Sequence, residues 1–190
     1  MEDYYRDNFS DRFSYHNFQH TESVVAQTQL IAEECGIDPS QKSLLTIAAL
    51  FHDIGYSQNP EKHEEIGANM SEEYLISVDD DQERIDHVKS LILATYYPHS
   101  PTNRLEEIIR DADLAYLGTS DFWVGSDSLR AEWENVKGLK YSDKEWLKIN
   151  AAFLLAHKFY TPCAQKRLDQ GKKKNLNQVL KRLSQADKDR

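Results

Sequence analysis

The stretch Ser43–Tyr56, SLLTIAALFHDIGY, does most to restrict what this chain can become. Leu44, Leu45 and the unbroken run Ile47–Phe51 make a helix that is apolar nearly all round, and such a helix belongs in the centre of a core. It runs straight into His52-Asp53 and is halted by Gly55. A carboxylate carried to the end of a buried helix is costly unless it is paired. A bound cation removes that cost, and imidazole beside carboxylate suits Mn, Fe, Co, Ni or Zn better than a thiol-seeking ion. For one such pair alone, a cap or a core hydrogen bond is the simpler reading.

The company of the pair changes that balance. Upstream, YHNFQHT sets His16 and His20 four residues apart where a helix begins. Downstream, KHEEIGA sets His63 in the first turn of a helix that Asn59-Pro60 is expected to start, with Asn as cap and Pro just inside. RDADLAYLG holds Asp111 and Asp113. At about 100° per residue, Leu105, Ile109, Ala112, Tyr116 and Leu117 mark an inward helix face. Asp113 falls about 50° from the middle of that face and Asp111 about 150° away. Asp113 is therefore expected to face the core, and Asp111 the solvent or a basic neighbour.

The remaining pattern is helical. Val24, Val25, Thr28, Ile31, Ala32 and Cys35 share a face, with Gly36 as the stop. Ile85, Val88, Ile92 and Thr95 mark a helix closed by Pro98 and Pro101, and Gly118 ends the helix that carries Asp113. Segments 121–136 and 143–160 read as helices, and Leu176, Val179, Leu180 and Leu183 mark a basic C-terminal helix over about 171–187. No alternating strand signal is found. The expected fold is a compact all-α bundle, residues 1–190 forming one domain.

Charge and cysteine usage narrow the function classes. Residues 166–190 carry nine Lys/Arg and three Asp/Glu, so the rest of the chain holds −15 of a net −9. An acidic body disfavours broad nucleic-acid binding, and the basic tail reads as a solvated helix face. No secretory signal and no membrane span are expected. Cys35 and Cys163 fit neither a disulfide framework nor a paired zinc site, and are read as reduced thiols of a cytoplasmic protein. The oligomeric state is left open.

In their order, YHNFQHT, FHDIGY and DADLAYLG resemble the ligand motifs of the HD superfamily of metal-dependent phosphohydrolases, with the nearest likeness to a bacterial subgroup of predicted phosphohydrolases. The resemblance spans about residues 14–160. It implies an all-α HD-domain helical bundle with its site between central helices, and a divalent ion (Mn, Fe, Co, Ni, Mg or Zn) held by His20, His52, Asp53 and Asp113. Some members carry a Glu soon after the pair; here Ile54, Gly55 and Tyr56 stand there. Glu64 or Glu65 is the substitute, and Glu64 is taken with Asp53 as catalytic. His63 resembles a ligand of two-metal members, but the nearest subgroup often has Asn there. One tightly held ion is therefore expected, with His63 beside it or in a weaker second site; His87 and His99 are poorer candidates.

The reaction expected from this resemblance is hydrolysis of a phosphate ester or anhydride, of a nucleotide or related small metabolite. The alternatives are an HD-type di-iron oxygenase and a catalytically degenerate nucleotide-binding module. Lys89, Arg104 and Arg130 are candidate phosphate cations, with simple exposure the heavier reading. Tyr96-Tyr97 and Trp123 are candidates for a base pocket, weighed below ordinary packing, and His157 reads as a core or rim histidine. No nucleophile elbow or phosphate-binding glycine loop is present.

Overall fold

The computed structural model describes residues 1–97 and 99–186. Among these residues nine α-helices form and no strand, so the fold is all-α. The chain divides into two compact units, Met1–Ser10 with His16–Leu114, and Asp11–Tyr15 with the chain from Ala115 onward.

The first unit contains α1 (Glu2–Asn8), α2 (Phe18–Glu34), α3 (Pro39–Phe51), α4 (His63–Ser77), α5 (Gln82–Leu93) and α6 (Arg104–Asp113). Helix α3 starts where the Asp38 side chain accepts the N–H groups of Ser40 and Gln41, with Pro39 in its first turn. Leu45, Ala48 and Ala49 are fully buried, and α2, α4, α5 and α6 all pack on α3. Its central position follows from an apolar surface that only other helices can cover. Helix α2 ends at Cys35 with Gly36 at φ +70°, the left-handed stop expected from the sequence.

Helix α4 begins at His63, later than the Asn59-Pro60 signal suggested. The Asn59 side chain caps a separate turn by accepting the Glu61 N–H at 2.9 Å, and the Pro60 carbonyl lies 2.7 Å from His63 Nδ1. Helix α5 ends at Leu93; Pro98, expected to help close it, lies outside the described residues.

The second unit contains a 3-10 turn at Ala115–Gly118, then α7 (Phe122–Lys137), α8 (Asp143–Ala156) and α9 (Pro162–Ala186). Ser142 and Glu145 form a reciprocal capping box on α8. Helix α9 begins well before the expected residue 171, and residue 187 lies outside the described residues. Gly171 does not break it: any Cβ there would collide with the Gly118 carbonyl, so the glycine lets α9 lie directly on the turn. Buried Asn175 donates to the carbonyls of Leu117 and Thr119 at 2.9 and 2.8 Å, fastening the same contact.

Neither cysteine is a free thiol: Cys35 and Cys163 are both disulfide-bonded, which corrects the reduced reading. A count of two cysteines carries no information on proximity. No described helix is long and apolar enough to cross a membrane.

In the first unit, Gly67 of α4 sits against the Phe51 carbonyl at the end of α3, with no room for a Cβ. Gly67→Ala is expected to lower stability by about 1–3 kcal/mol. The measurement is the urea midpoint at unchanged slope; an unmoved midpoint would refute the close approach.

Candidate metal centre

Three helices of the first unit bring the site residues together. The Asn17 side chain caps α2 by accepting the His20 N–H at 3.0 Å, so His20 occupies the helix's first turn. His52 follows the last residue of α3, and its Nδ1 lies 2.8 Å from the Ala49 carbonyl. A carbonyl can only accept, so the proton sits on Nδ1 and a neutral His52 turns an Nε2 lone pair inward. His63 Nδ1 is held the same way by Pro60. Asp113 is the last residue of α6.

One ligand atom from each of His20, His52 and Asp113 lies within 4.8 Å of the others. Asp113 Oδ1 is 3.3 Å from His20 Nε2 and 3.7 Å from His52 Nε2. Asp53 Oδ2 is 3.2 and 3.0 Å from the same two nitrogens. The four residues singled out by the sequence thus converge.

The arrangement fits a cation. His52 is 1% exposed, and its Nε2 makes no aligned hydrogen bond even though Asp53 Oδ2 stands 3.0 Å away. With the proton on Nδ1, Nε2 and the carboxylate oxygen both present lone pairs, so this short approach is not a hydrogen bond. Converging lone pairs are what a cation requires. Two imidazoles and two carboxylates are donors for an intermediate divalent ion, and the Nδ1–carbonyl bond is the usual support of a ligating histidine.

The charges are strongly interdependent. Burial opposes a charged His20, but the Asp113 and Asp53 carboxylates outweigh it and raise its pKa. His52 is raised well above the ordinary value in the same way, with Asp53 the main opposing charge to burial. Burial pushes the Asp53 carboxyl up, yet His52, then His16 and His20, hold it well below the carboxylate range. Asp113 is lowered against burial by His20 and His52.

Around this core lie groups of a second kind. His63 Nε2 is 3.5 Å from Asp53 Oδ1 and 3.2 Å from Glu64 Oε1. Burial raises the Glu64 pKa, His63 opposes it, and Asp53 and Asp113 add to the rise. The His16 ring stacks on buried Tyr56 at 3.9 Å between centroids, and its centroid is 6.0 Å from that of His20. Helix α1 contributes buried Tyr5, whose hydroxyl lies 2.7 Å from the Thr21 hydroxyl next to His20; burial and the Asp53 charge push its pKa up. The sequence showed no signal for this contact, since it depends on the α1–α2 packing.

Asp111 corrects an expectation. It is fully buried rather than turned to solvent, because Ile108–Ala112 are buried without interruption and this end of α6 has no wet face. Of the candidate cations, Lys89 is engaged by Glu72 and Arg130 by Asp143 and Glu134. Arg104 lines a groove of about 330 Å³ with His87 at the start of α6, the opposite end from Asp113. His99 faces Glu106 at 3.5 Å. Trp123 donates to Gln178 and packs under Arg182 within the second unit, which is ordinary packing.

The HD domain family profile matches residues 17–115. That interval opens on the cap of α2 and closes just past Asp113, so it holds all four converging residues and is shorter than the 14–160 of the resemblance. No curated protein and no solved structure matches the chain.

Two outcomes follow from this geometry. Asp113→Asn should abolish the rise in Tm on adding Mn2+, while Asp111→Asn should keep it even if the fold is weakened; the reverse pattern would move the ligand. The second concerns pH. His20 and His52 are raised from 6.5, so their contribution to metal-free stability is complete below about 6.5 and lost as pH climbs through the raised values. Asp53 and Asp113 are lowered from 3.8, so theirs is present above about 3.8 and lost as pH falls through the lowered values. The chelated protein should therefore lose Tm as pH rises above about 6.5, while the gain on adding Mn2+ grows, because ligating imidazoles must be deprotonated. A gain that shrinks with pH would contradict the assignment.

Proposed function

The chain belongs to the HD domain family, and from that premise we propose that it hydrolyses a phosphate ester or anhydride of a small metabolite, a nucleotide or a related compound. In this reading His20, His52, Asp53 and Asp113 hold one divalent ion. The observation that carries it is the buried His52 Nε2, turned without an aligned donor toward two carboxylates.

Such an ion, when bound, lowers the pKa of a coordinated water toward ~7 and polarises a phosphoryl oxygen. The chain's own residues supply the proton handling. Glu64, with its pKa raised by burial, is suited to take a proton from the attacking water and return it to the leaving oxygen. His63 stands between Glu64 and the outer oxygen of Asp53, orienting the first and screening it from the second. Asp53 turns Oδ2 to the two ligating histidines and Oδ1 to His63, so it links the ion's surroundings to the proton path.

A second reading has one observation in its favour. His63 Nε2 faces the free side of Asp53, as a ligand to a second ion would, and two irons there would support oxidative chemistry instead. Iron content together with oxygen consumption separates the two readings: two irons per chain with oxygen uptake would replace hydrolysis.

Glu64→Gln keeps shape and removes the titrating group. It is expected to cut turnover on a responsive phosphate substrate by about 10²–10⁴ while keeping the Mn2+-dependent rise in Tm. Unchanged turnover would remove Glu64 from the mechanism.

A further inference from the structure

Helix α1 lies outside the span that the family profile matches, yet its two tyrosines reach the elements that carry the site. The Tyr5 hydroxyl is 2.7 Å from the Thr21 hydroxyl, and the two residues are 4% and 0% exposed. The Tyr5 ring centre lies 5.7 Å from that of Phe18, the first residue of α2. Phe18 and Thr21 are three residues apart, on one face of the first turn of that helix. Tyr4 reaches two further elements. Its hydroxyl is 3.9 Å from the Met70 sulfur on α4, and 3.4 Å from Nε2 of Gln58, just past the short turn that follows Asp53.

The first turn of α2 is where His20 stands. At about 100° per residue, His20 is about 100° round the helix from Thr21 and about 160° from Phe18. Tyr5 therefore grips the back of a turn whose front carries a metal ligand. The Asn17 cap ties down the backbone of this turn, but it does not fix the turn's rotation against the rest of the unit. Side-chain contacts do that. A ligand atom has to be held within about 0.5 Å of its working place, and a buried bond is a device for it. Here that bond is polar. Two apolar side chains would pack α1 on α2 in many ways, whereas two buried hydroxyls are satisfied in one relative placement and costly in the others. After burial, the Asp53 charge is what most raises the Tyr5 pKa, which sets the ring at the flank of the same cluster.

We propose that Tyr5 is a positioning residue of the metal centre: its hydroxyl on Thr21 and its ring on Phe18 fix the first turn of α2, and so the place of His20 Nε2 among the ligands. The inference rests on the reading that His20, His52, Asp53 and Asp113 hold one divalent ion. It adds a residue from outside the matched domain, so residues 17–115 carry every ligand but not everything that holds the ligands in place.

The test is calorimetric titration of Mn2+ into chelator-stripped protein: native, Tyr5→Phe, Thr21→Val, Thr21→Ser and the double variant Tyr5→Phe/Thr21→Val. Tyr5→Phe and Thr21→Val remove the bond from its two ends while keeping shape, and Thr21→Ser keeps it. Each of the first two should weaken Mn2+ binding about tenfold, the scale of one lost hydrogen bond. The double variant should be no worse than either, because both remove the same bond, and Thr21→Ser should bind like the native protein. The visible absorption spectrum of the Co2+-loaded protein, which reports ligand geometry, should change in the same variants and not in Thr21→Ser. Circular dichroism verifies folding, and Thr21→Val carries the test where Tyr5→Phe does not fold. A lower Tm of the metal-free variants with Mn2+ affinity and Co2+ spectrum untouched would make the bond merely structural and overturn this inference alone. A native protein without tight Mn2+ binding overturns the metal-centre reading, and this inference falls with it.

Discussion

The hydrogen bond between His52 Nδ1 and the Ala49 carbonyl fixes which way a lone pair points, and the site depends on that direction. It belongs to the apolar helix α3 itself, so the ring is oriented by the same element that organises the core. With Nδ1 committed, Nε2 opens toward Asp53 and Asp113, and His20 enters from the facing turn of α2. Four donors then meet in a largely buried place. Leaving two carboxylates there unneutralised would cost several kcal/mol, so the cluster requires protons or a cation. The raised imidazole pKa values describe the first solution and a bound ion the second.

Packing supports this at points where no side chain is chemical. Gly67 brings α4 against the end of α3, and that approach sets His63 and Glu64 beside Asp53. Pro60 then holds His63 as Ala49 holds His52. The result is a gradient of environments across a short span: Asp53 is kept ionised by histidines, while Glu64, next to it, is pushed toward the neutral form by burial. Carboxyls with divergent pKa values in one site are what acid–base chemistry uses.

The sequence made part of this readable. An apolar helix ending in His-Asp, two histidines at a helix start and an Asp after Ala112 could be joined because their residue types announce ligands and their order matches a known set. Helical spacing also chose Asp113 over Asp111, yet for an incomplete reason: it carried the solvent face of α6 on past Glu107, where Ile108–Ala112 are all buried, and Asp111 is the more buried of the two. The start of α4 was misplaced because Asn59 and Pro60 are equally good in a turn. The true length of α9 depends on Gly171 meeting Gly118, and the His16–Tyr56 stack on two segments meeting in space; neither leaves a trace in local pattern.

The central claim is that His52 helps to hold a divalent ion. It is tested most directly by titrating Mn2+ calorimetrically into chelator-stripped protein, native and His52→Ala, with circular dichroism confirming that both keep their helices. The account predicts one tight site per chain in the native protein and none in the variant. Equal Mn2+ affinity in the two proteins, or no tight binding in the native one, would contradict it.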